Sequence, residues 1–339
     1  MNNQAMMQYL WELPGQFEYS LQHQEAIPIL RAEIRNIVVS GMGGSAIGGD
    51  ILRCLAFSQA RVPILVNRSY DIPHLVGEDT LFLAVSYSGG TEETLAAYEQ
   101  ARQRGAQVVC VSSGGRLEEL AKADNYPHIK VPGGLMPRVA NGFLFGPMVL
   151  LLEKAGILTG VQDDLREAIE VLYQMREELN PQAPQEGNTA WKAARAMKNA
   201  LPVIWGAYGP SETAALRWKA QINENAKSPA YYATFPELNH NEIVGFQVPP
   251  EIVEQICLVI LRDNQDHPRI SKRMDITEKL VEGKIKALIE VASRGESWLA
   301  RYYSLTYIGD YASTYLAEEY ELDSLPIPVI DYLKAELAK

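Results

Sequence analysis

A turn rich in hydroxyl groups and glycines occupies residues 86–91, between an apolar run and a helical pattern. Ser86, Ser88 and Thr91 carry hydroxyl donors, and the two glycines let the backbone come close to a ligand. Thr91 stands where the helix should begin, and the free amides and positive dipole end of a helix N-terminus favour an anion. The turn therefore suits a phosphate group. The alternative is a strand-to-helix turn whose hydroxyls bond only their own backbone.

A second turn of this kind, SGMGGS at residues 40–45, favours the phosphate interpretation because it lies in the same strand-turn-helix context. A third, SSGGR, occupies residues 112–116. Apolar strands that alternate with helices predict an α/β fold whose parallel sheet is covered on both faces. Ligands of such folds bind beyond the carboxyl ends of the strands, where all three turns fall. The predicted strands of this half are residues 36–39, 62–66, 81–85, 107–111 and 129–131.

Three charged or titratable side chains are candidates for proton transfer and charge stabilisation. Glu224 ends a helical pattern, and the negative dipole end of a helix makes a carboxylate a better proton acceptor, although a single glutamate is more often a solvated surface residue. His240 lies between two asparagines, where Glu237 and Glu242 are near enough in sequence to orient its ring. Arg138 follows a proline in a glycine-containing loop, and either stabilises developing negative charge or is a surface arginine.

The composition limits the class of partner. The chain has 339 residues, enough for two compact domains, and a formal net charge of -11, which argues against nucleic acid or an anionic membrane as partner. Its three cysteines stand far apart in apolar stretches, as in reduced cytoplasmic proteins. No signal peptide is recognisable, and the longest apolar run, residues 143–152, is too short to span a bilayer. Histidines at ligand spacing and Cys/His clusters are absent from the sequence, so no metal site is expected.

The α/β pattern restarts in the second half of the chain, after a polar connector rich in proline and glycine at residues 180–188. We therefore expect a helical N-terminal arm (1–35), a first domain (36–155), a helical connector and linker (156–189) and a second domain with a C-terminal helix (190–339). The polar face of that last helix carries Lys334. The strands predicted for the second domain are residues 202–205, 254–261 and 286–291.

Taken together, these motifs resemble the bifunctional phosphoglucose/phosphomannose isomerases, a branch of the phosphoglucose isomerase superfamily with two sugar-isomerase (SIS) domains. The likeness covers most of the chain, and its motifs occur in the order of the family. The resemblance implies an α/β fold with two SIS-type, flavodoxin-like α-β-α sandwich domains. The motifs are SGMGGS (40–45), VSYSGGTEET (85–94), SSGGRL (112–117), PR (137–138), NENAK (223–227), NHN (239–241) and IDYLK (330–334).

The resemblance also implies a role for each matching residue in aldose-ketose isomerisation through a cis-enediol, without a cofactor. Ser86, Ser88 and Thr91 would bind the phosphate of a sugar phosphate, and Gly44 and Ser45 would line the sugar site. Glu224 would move the proton between C2 and C1, and Arg138 would stabilise the enediolate. His240 would assist ring opening, supported by Lys334. In this family the histidine comes from the neighbouring subunit, which implies a homodimer.

One departure bears on substrate range, because relatives commonly carry Thr-Pro where this chain has Ile327 and Pro328. The threonine is associated with room for the C2 epimer, so its replacement bears on the use of mannose 6-phosphate and leaves glucose 6-phosphate unaffected. A dinucleotide-binding oxidoreductase is one alternative, but no acidic residue follows the second strand to hold a ribose. A non-catalytic sugar-phosphate sensor and an isomerase of another sugar phosphate are the others, and a sensor would bind its ligand without turnover.

Overall fold

The computed structural model describes residues 3–30 and 33–337, so the ends of the predicted arm (1, 2, 31 and 32) and the last two residues of the predicted second domain lie outside the described residues. Within the described residues, the helices and strands in chain order are α1 (Asn3–Trp11), α2 (Leu13–Gln22), β1 (Asn36–Ser40), α3 (Gly44–Ala56), β2 (Ile64–Asn67), β3 (Thr80–Val85), α4 (Glu92–Gln103), β4 (Gln107–Ser112), α5 (Gly115–Ala123), β5 (His128–Lys130), α6 (Asn141–Lys154), α7 (Val161–Leu179), α8 (Thr189–Met197), β6 (Leu201–Ala207), α9 (Pro210–Asn225), β7 (Tyr231–Phe235), α10 (Pro250–Val253), β8 (Ile256–Arg262), α11 (Pro268–Val281), β9 (Ala287–Ala292), α12 (Trp298–Glu319) and α13 (Pro328–Leu337).

The first sheet has five parallel strands in the order β2-β1-β3-β4-β5, the order of flavodoxin-like folds. Strand β1 is buried along its whole length and pairs with β3 in a register that sets Val39 beside Leu83. One buried cluster packs Phe82 and Val108 of the sheet against Tyr98 of α4. The α/β class and the parallel sheet are therefore confirmed.

The second sheet has four parallel strands in the order β7-β6-β8-β9. Numbered within its own half, this order is 2-1-3-4, so the two sheets repeat one topology. Strand β7 lies at the edge and exposes Tyr231 and Tyr232, which is why its sequence shows neither a continuous apolar run nor a clean alternation. Trp205 of β6 packs edge-on against Phe235 of β7 in the core of this half.

Contacts divide the chain into two units, which differ from the predicted domains. The first unit comprises Glu12–Leu172 with Gly295–Ala300, and the second comprises Met1–Trp11, Tyr173–Arg294 and Arg301–Lys339. The division falls inside α7, before the polar connector, because Arg176 and Tyr173 of that helix already pack within the second unit.

The predicted N-terminal arm is split by this division. Helix α1 belongs to the second unit, where the guanidinium of Arg176 stacks on Trp11 and the Tyr307 hydroxyl donates to the Leu10 carbonyl. Helix α2 belongs to the first unit. The predicted break at Pro14 is a boundary between two helices, since Pro14 stands in the first turn of α2.

The apolar run at residues 143–152 belongs to α6, whose central side chains are buried in the first unit. It continues as a helix through Pro147. No helix in the described part of the chain has the length and apolar character needed to cross a membrane.

Candidate active site

The phosphate-binding turn predicted at residues 86–91 brings three hydroxyls together at the carboxyl end of β3. The Ser86 Oγ and Thr91 Oγ1 atoms are 2.8 Å apart, and Ser88 Oγ accepts from the Gly90 N–H at 3.3 Å. Ser86 is buried, Thr91 is half-buried and Ser88 is exposed, so the hydroxyls run from the interior to the surface. Thr91 is the N-cap residue of α4, but its side chain makes no capping bond, which leaves the first amides of α4 open to an anion.

The turn is held in shape by the loop that follows β4. Gly89 has a φ of +69°, and a Cβ there would run into the Gly114 carbonyl, so no other residue fits. The Leu117 N–H donates to the Gly89 carbonyl at 2.8 Å. Behind this loop, Ser112 Oγ lies 2.8 Å from His128 Nε2, and burial lowers the pKa of that histidine. The third glycine-rich turn thus supports the phosphate-binding turn.

Gly44 and Ser45 begin α3 and lie next to the turn that carries Arg138. A Cβ on Gly44 would lie 2.7 Å from the Pro137 carbonyl oxygen and 3.1 Å from the Arg138 Cα. Ser45 Oγ accepts from the Tyr87 N–H at 3.3 Å, which ties the start of α3 to the phosphate-binding turn. Arg138 is 3% exposed, and it lies in a single 3-10 turn before α6. These contacts gather the predicted phosphate, sugar and enediolate residues of the first unit at one edge of its sheet.

Glu224 is the next-to-last residue of α9 and is half-buried, as predicted for a base at a helix C-terminus. The Lys227 ammonium donates to the Glu224 carbonyl at 2.7 Å and to the Ser324 carbonyl at 3.1 Å. Lys227 thereby neutralises the carbonyl end of the helix and fastens it to the segment that leads into α13. Lys227 is the last residue of the NENAK motif, and a lysine just after a helix is a common C-terminal signal.

His240 is exposed and ends a 3-10 turn that follows β7. The prediction that Glu237 and Glu242 orient its ring is wrong, because both carboxylates are held elsewhere. Glu242 Oε1 accepts from the Trp205 indole N–H at 2.8 Å, and Glu237 Oε1 accepts from the Asn241 amide at 2.8 Å. Among the described residues, the His240 ring makes no hydrogen bond.

Lys334 is exposed on α13, a helix that buries none of its described side chains. Ile327 is half-buried, and its carbonyl accepts the N–H groups of Ile330 and Asp331 at the start of α13. The second unit thus presents Glu224, His240 and Lys334 on three different segments. Within the described residues, no group of three His, Cys, Asp or Glu side chains is arranged to hold a metal ion.

Two further side chains bond the loop around Arg138, and neither was predicted from the sequence to be functional. Tyr87, inside the phosphate-binding turn, and Gln16, in the predicted arm, are both buried and hydrogen-bonded to the loop around Arg138. The signal for Tyr87 was a large aromatic side chain between two small polar residues. Gln16 gave no such signal, because a glutamine in a helix is ordinarily a surface residue.

Comparison with known proteins identifies two domain families in this chain. The family described as SIS domain matches residues 31–126, and the bacterial phospho-glucose isomerase C-terminal SIS domain matches residues 186–337. The crystal structure of glucosamine-6-phosphate deaminase from Thermotoga maritima has a TM-score of 0.71 at 15% identity, and the match covers 96% of both chains. At that identity, the likeness bears on the fold alone.

Two curated relatives are much closer in sequence. A bifunctional phosphoglucose/phosphomannose isomerase of Caldicellulosiruptor bescii is 42% identical over 336 residues, which cover 98% of this chain and 99% of that one. Another, from Aquifex aeolicus, is 37% identical over 309 residues, covering 90% of this chain and 91% of that one. The family predicted from the motifs is confirmed, and the chain belongs to the bifunctional phosphoglucose/phosphomannose isomerases.

Proposed function

We propose that this protein interconverts glucose 6-phosphate, and also mannose 6-phosphate, with fructose 6-phosphate by proton transfer through a cis-enediol. The observation that carries the proposal is the phosphate-binding turn, in which Ser86, Ser88 and Thr91 place hydroxyls at the uncapped N-terminus of α4. A phosphate monoester there accepts hydrogen bonds from hydroxyls and amides together. The names of the relatives add the substrates and the reaction.

Each predicted residue has one role in the proposed reaction. Glu224 takes the proton from C2 of the open-chain aldose and returns it to C1, while the C2 hydroxyl gives up its proton and the C1 oxygen takes one up, which leaves the ketose. Arg138 stabilises the negative charge that develops on the enediolate oxygens. His240 moves the proton at the ring oxygen when the sugar opens, and Lys334 supports that step. Gly44 and Ser45 line the sugar site. No electrons enter or leave the substrate, so the reaction needs no redox cofactor.

We further propose a homodimer in which His240 serves the site of the other subunit. Its ring is exposed, and Val244 and Val248 nearby expose 64% and 78% of their surface. Apolar exposure of this kind around a polar catalytic side chain suits a surface that a second copy covers.

The three cysteines are free and buried, which fits a protein of the reducing cytoplasm.

The deciding experiment incubates the protein with fructose 6-phosphate in the presence of EDTA and assays glucose 6-phosphate and mannose 6-phosphate separately. Both products support the full proposal, and glucose 6-phosphate alone restricts it to phosphoglucose isomerisation. With neither product, the proposed function fails. Where the unaltered protein is active, Glu224→Gln should lose about 10²- to 10⁴-fold in kcat and keep its affinity for inorganic phosphate, as expected when a general base is removed.

A further inference from the structure

The turn that carries Arg138 is short and needs support from outside. It is a 3-10 turn of three residues, Pro137–Val139, with backbone hydrogen bonds from Val139 to Met136 at 3.0 Å and from Ala140 to Pro137 at 3.3 Å. A turn of this length has too few bonds of its own to fix an arginine to within a fraction of an ångström. Two buried side chains from distant parts of the first unit supply further bonds.

Tyr87 holds the segment that precedes the turn. Its hydroxyl donates to the Pro132 carbonyl at 2.9 Å and accepts from the Leu135 N–H at 3.0 Å, so one oxygen closes the loop that leads to Arg138. The Tyr87 carbonyl accepts from the Ser113 hydroxyl at 2.7 Å. The side chain is only 4% exposed, and it therefore ties this loop to the phosphate-binding turn.

Gln16 holds the segment that follows the turn. Its amide nitrogen donates to the Val139 carbonyl at 2.8 Å, and its amide oxygen accepts from the Gly142 N–H at 3.1 Å. The approach is close, because a Cβ on Gly142 would lie 2.7 Å from Gln16 Cβ. Gln16 is 2% exposed, so both bonds are protected from water.

We propose that Tyr87 and Gln16 are positioning residues that hold the Arg138 turn from its two sides and so set the place of the guanidinium in the isomerase reaction. The inference rests on the proposed function for the role of Arg138. Neither side chain is among the proposed phosphate, base and acid residues. We expect their effect on turnover to pass through Arg138 and to leave phosphate binding by the turn at residues 86–91 largely unchanged.

A double-mutant cycle tests this inference. Tyr87→Phe removes only the hydroxyl, and Gln16→Met removes both polar atoms at similar volume. Each should lower kcat for fructose 6-phosphate by about 10- to 100-fold in the otherwise unchanged protein, as misplacement of a catalytic group does. In an Arg138→Ala background each should change the residual kcat by less than about twofold, since the group they position is gone. The KM and the inhibition constant of inorganic phosphate should change by less than about twofold.

Tyr98→Phe is the matched control. Tyr98, on α4, is also buried in the first unit, and its hydroxyl donates to Asp124 at 2.6 Å and not to the loop around Arg138. It should lower the melting temperature without changing kcat. If Tyr87→Phe and Gln16→Met keep full kcat, or lose as much activity in the Arg138→Ala background as without it, the positioning role is refuted.

Amide hydrogen exchange separates this inference from the proposed function. Tyr87→Phe takes away the acceptor of the Leu135 N–H, so exchange at Leu135 should become at least about tenfold faster. That measurement needs no substrate. If the unaltered protein is inactive but its Leu135 amide responds to Tyr87→Phe, the isomerase proposal is refuted while the support of the Arg138 turn by Tyr87 stands. An unchanged exchange rate refutes that support itself.

Discussion

Glu224 and His240 lie at opposite ends of the strands of the second sheet, Glu224 toward the amino ends and His240 toward the carboxyl ends. Helix α9 connects two parallel neighbours, β6 and β7, and therefore leads from the carboxyl edge of the sheet back to its amino edge. Glu224 stands at the end of α9, and His240 follows the far end of β7. A strand of five residues spans about 16 Å, so within one chain the two residues are separated by about the length of β7. The topology thus agrees with a base and a histidine that come from different subunits.

Subunit mixing tests this arrangement. Glu224→Gln and His240→Ala should each be nearly inactive alone. In a mixed dimer, one site combines an intact Glu224 with an intact His240, and the other site has neither. Random exchange at equal amounts should therefore restore about a quarter of the unaltered specific activity, given two sites per two-fold dimer. Native mass spectrometry should verify that the subunits exchange; no recovery despite exchange would exclude shared sites.

Thr91 offers a sharper test of the phosphate anchor than the serines do. Thr91→Val keeps the shape and removes the hydroxyl that Ser86 contacts, so KM for fructose 6-phosphate and the inhibition constant of phosphate should each rise about tenfold or more. Thr94→Val is the matched control, because Thr94 is buried in the first turn of the same helix and its hydroxyl has no hydrogen-bond partner among the described residues. A response of Thr94→Val as large as that of Thr91→Val would remove the argument for a specific anchor.

Gly44 tests the contact between α3 and the Arg138 turn. In Gly44→Ala the new methyl group would lie 2.7 Å from the Pro137 carbonyl oxygen and must displace the turn. We expect kcat to fall by about 100-fold because the arginine moves with the turn. Gly133→Ala is the control. Gly133 lies in the loop that leads to Arg138, and the atom nearest to a Cβ there is 3.7 Å away, so kcat should stay within about twofold. Steady-state kinetics on the two variants gives the comparison directly.

The first sheet could be predicted well because its central strands, β1, β3 and β4, are buried and therefore consist of nearly continuous apolar runs. Edge strand β7 could not be predicted, since Tyr231 and Tyr232 face solvent and give no periodic signal. The place of Glu224 at a helix end followed from local patterning. The partners of Glu242 did not, because the indole of Trp205 approaches it only in the folded second unit.

The residues of the candidate site that could not be predicted from the sequence are mainly those proposed to act through other residues. Sequence motifs identify residues whose own side chains can bind substrate or stabilise charge, such as Ser86 or Arg138. Tyr87 and Gln16 act by bonding backbone groups that are distant in sequence, with Gln16 and Val139 separated by 123 positions. A single sequence holds no record of such contacts. The same is true of the glycines on α6, whose small size matters only because α2 packs against them.

Ile327 controls the balance between the two products if the family's threonine makes room for the C2 epimer. Ile327→Thr should raise the ratio of mannose 6-phosphate to glucose 6-phosphate formed from fructose 6-phosphate by about threefold or more, which corresponds to about 0.7 kcal/mol in relative barrier. The Ile327 carbonyl accepts two N–H groups at the start of α13, so the hydroxyl introduced by Ile327→Thr can also cap that helix. Ile327→Val removes bulk without the hydroxyl and separates the two effects. An unchanged ratio in Ile327→Thr would assign the epimer preference to other residues.

Asp266 gives the protein a pH dependence of stability that is opposite in sign to that of ordinary ion-paired carboxylates. It follows β8, and burial raises its pKa to about 6, with the nearby charge of Asp263 adding to the rise. Because this pKa is higher in the folded than in the unfolded chain, the folded state binds more protons between about pH 4 and 6. The stabilisation is complete below the unfolded pKa and is lost as the pH rises through about 6.

Asp266→Asn therefore should stabilise the protein at pH 7.5 and have a clearly smaller effect at pH 4.5. An asparagine oxygen still accepts from the Asp263 N–H, which Asp266 Oδ2 does at 3.0 Å, so no bond is lost. Allowing for its partial exposure, the gain at pH 7.5 should be about 1 to 2 kcal/mol, which amounts to a few degrees in melting temperature. Asp71→Asn, at an exposed position, is the control and should leave the melting temperature unchanged at both pH values. A gain of equal size at both pH values would mean that the introduced amide packs better for reasons other than charge, and a loss at pH 7.5 would show that the ionised carboxylate stabilises the loop.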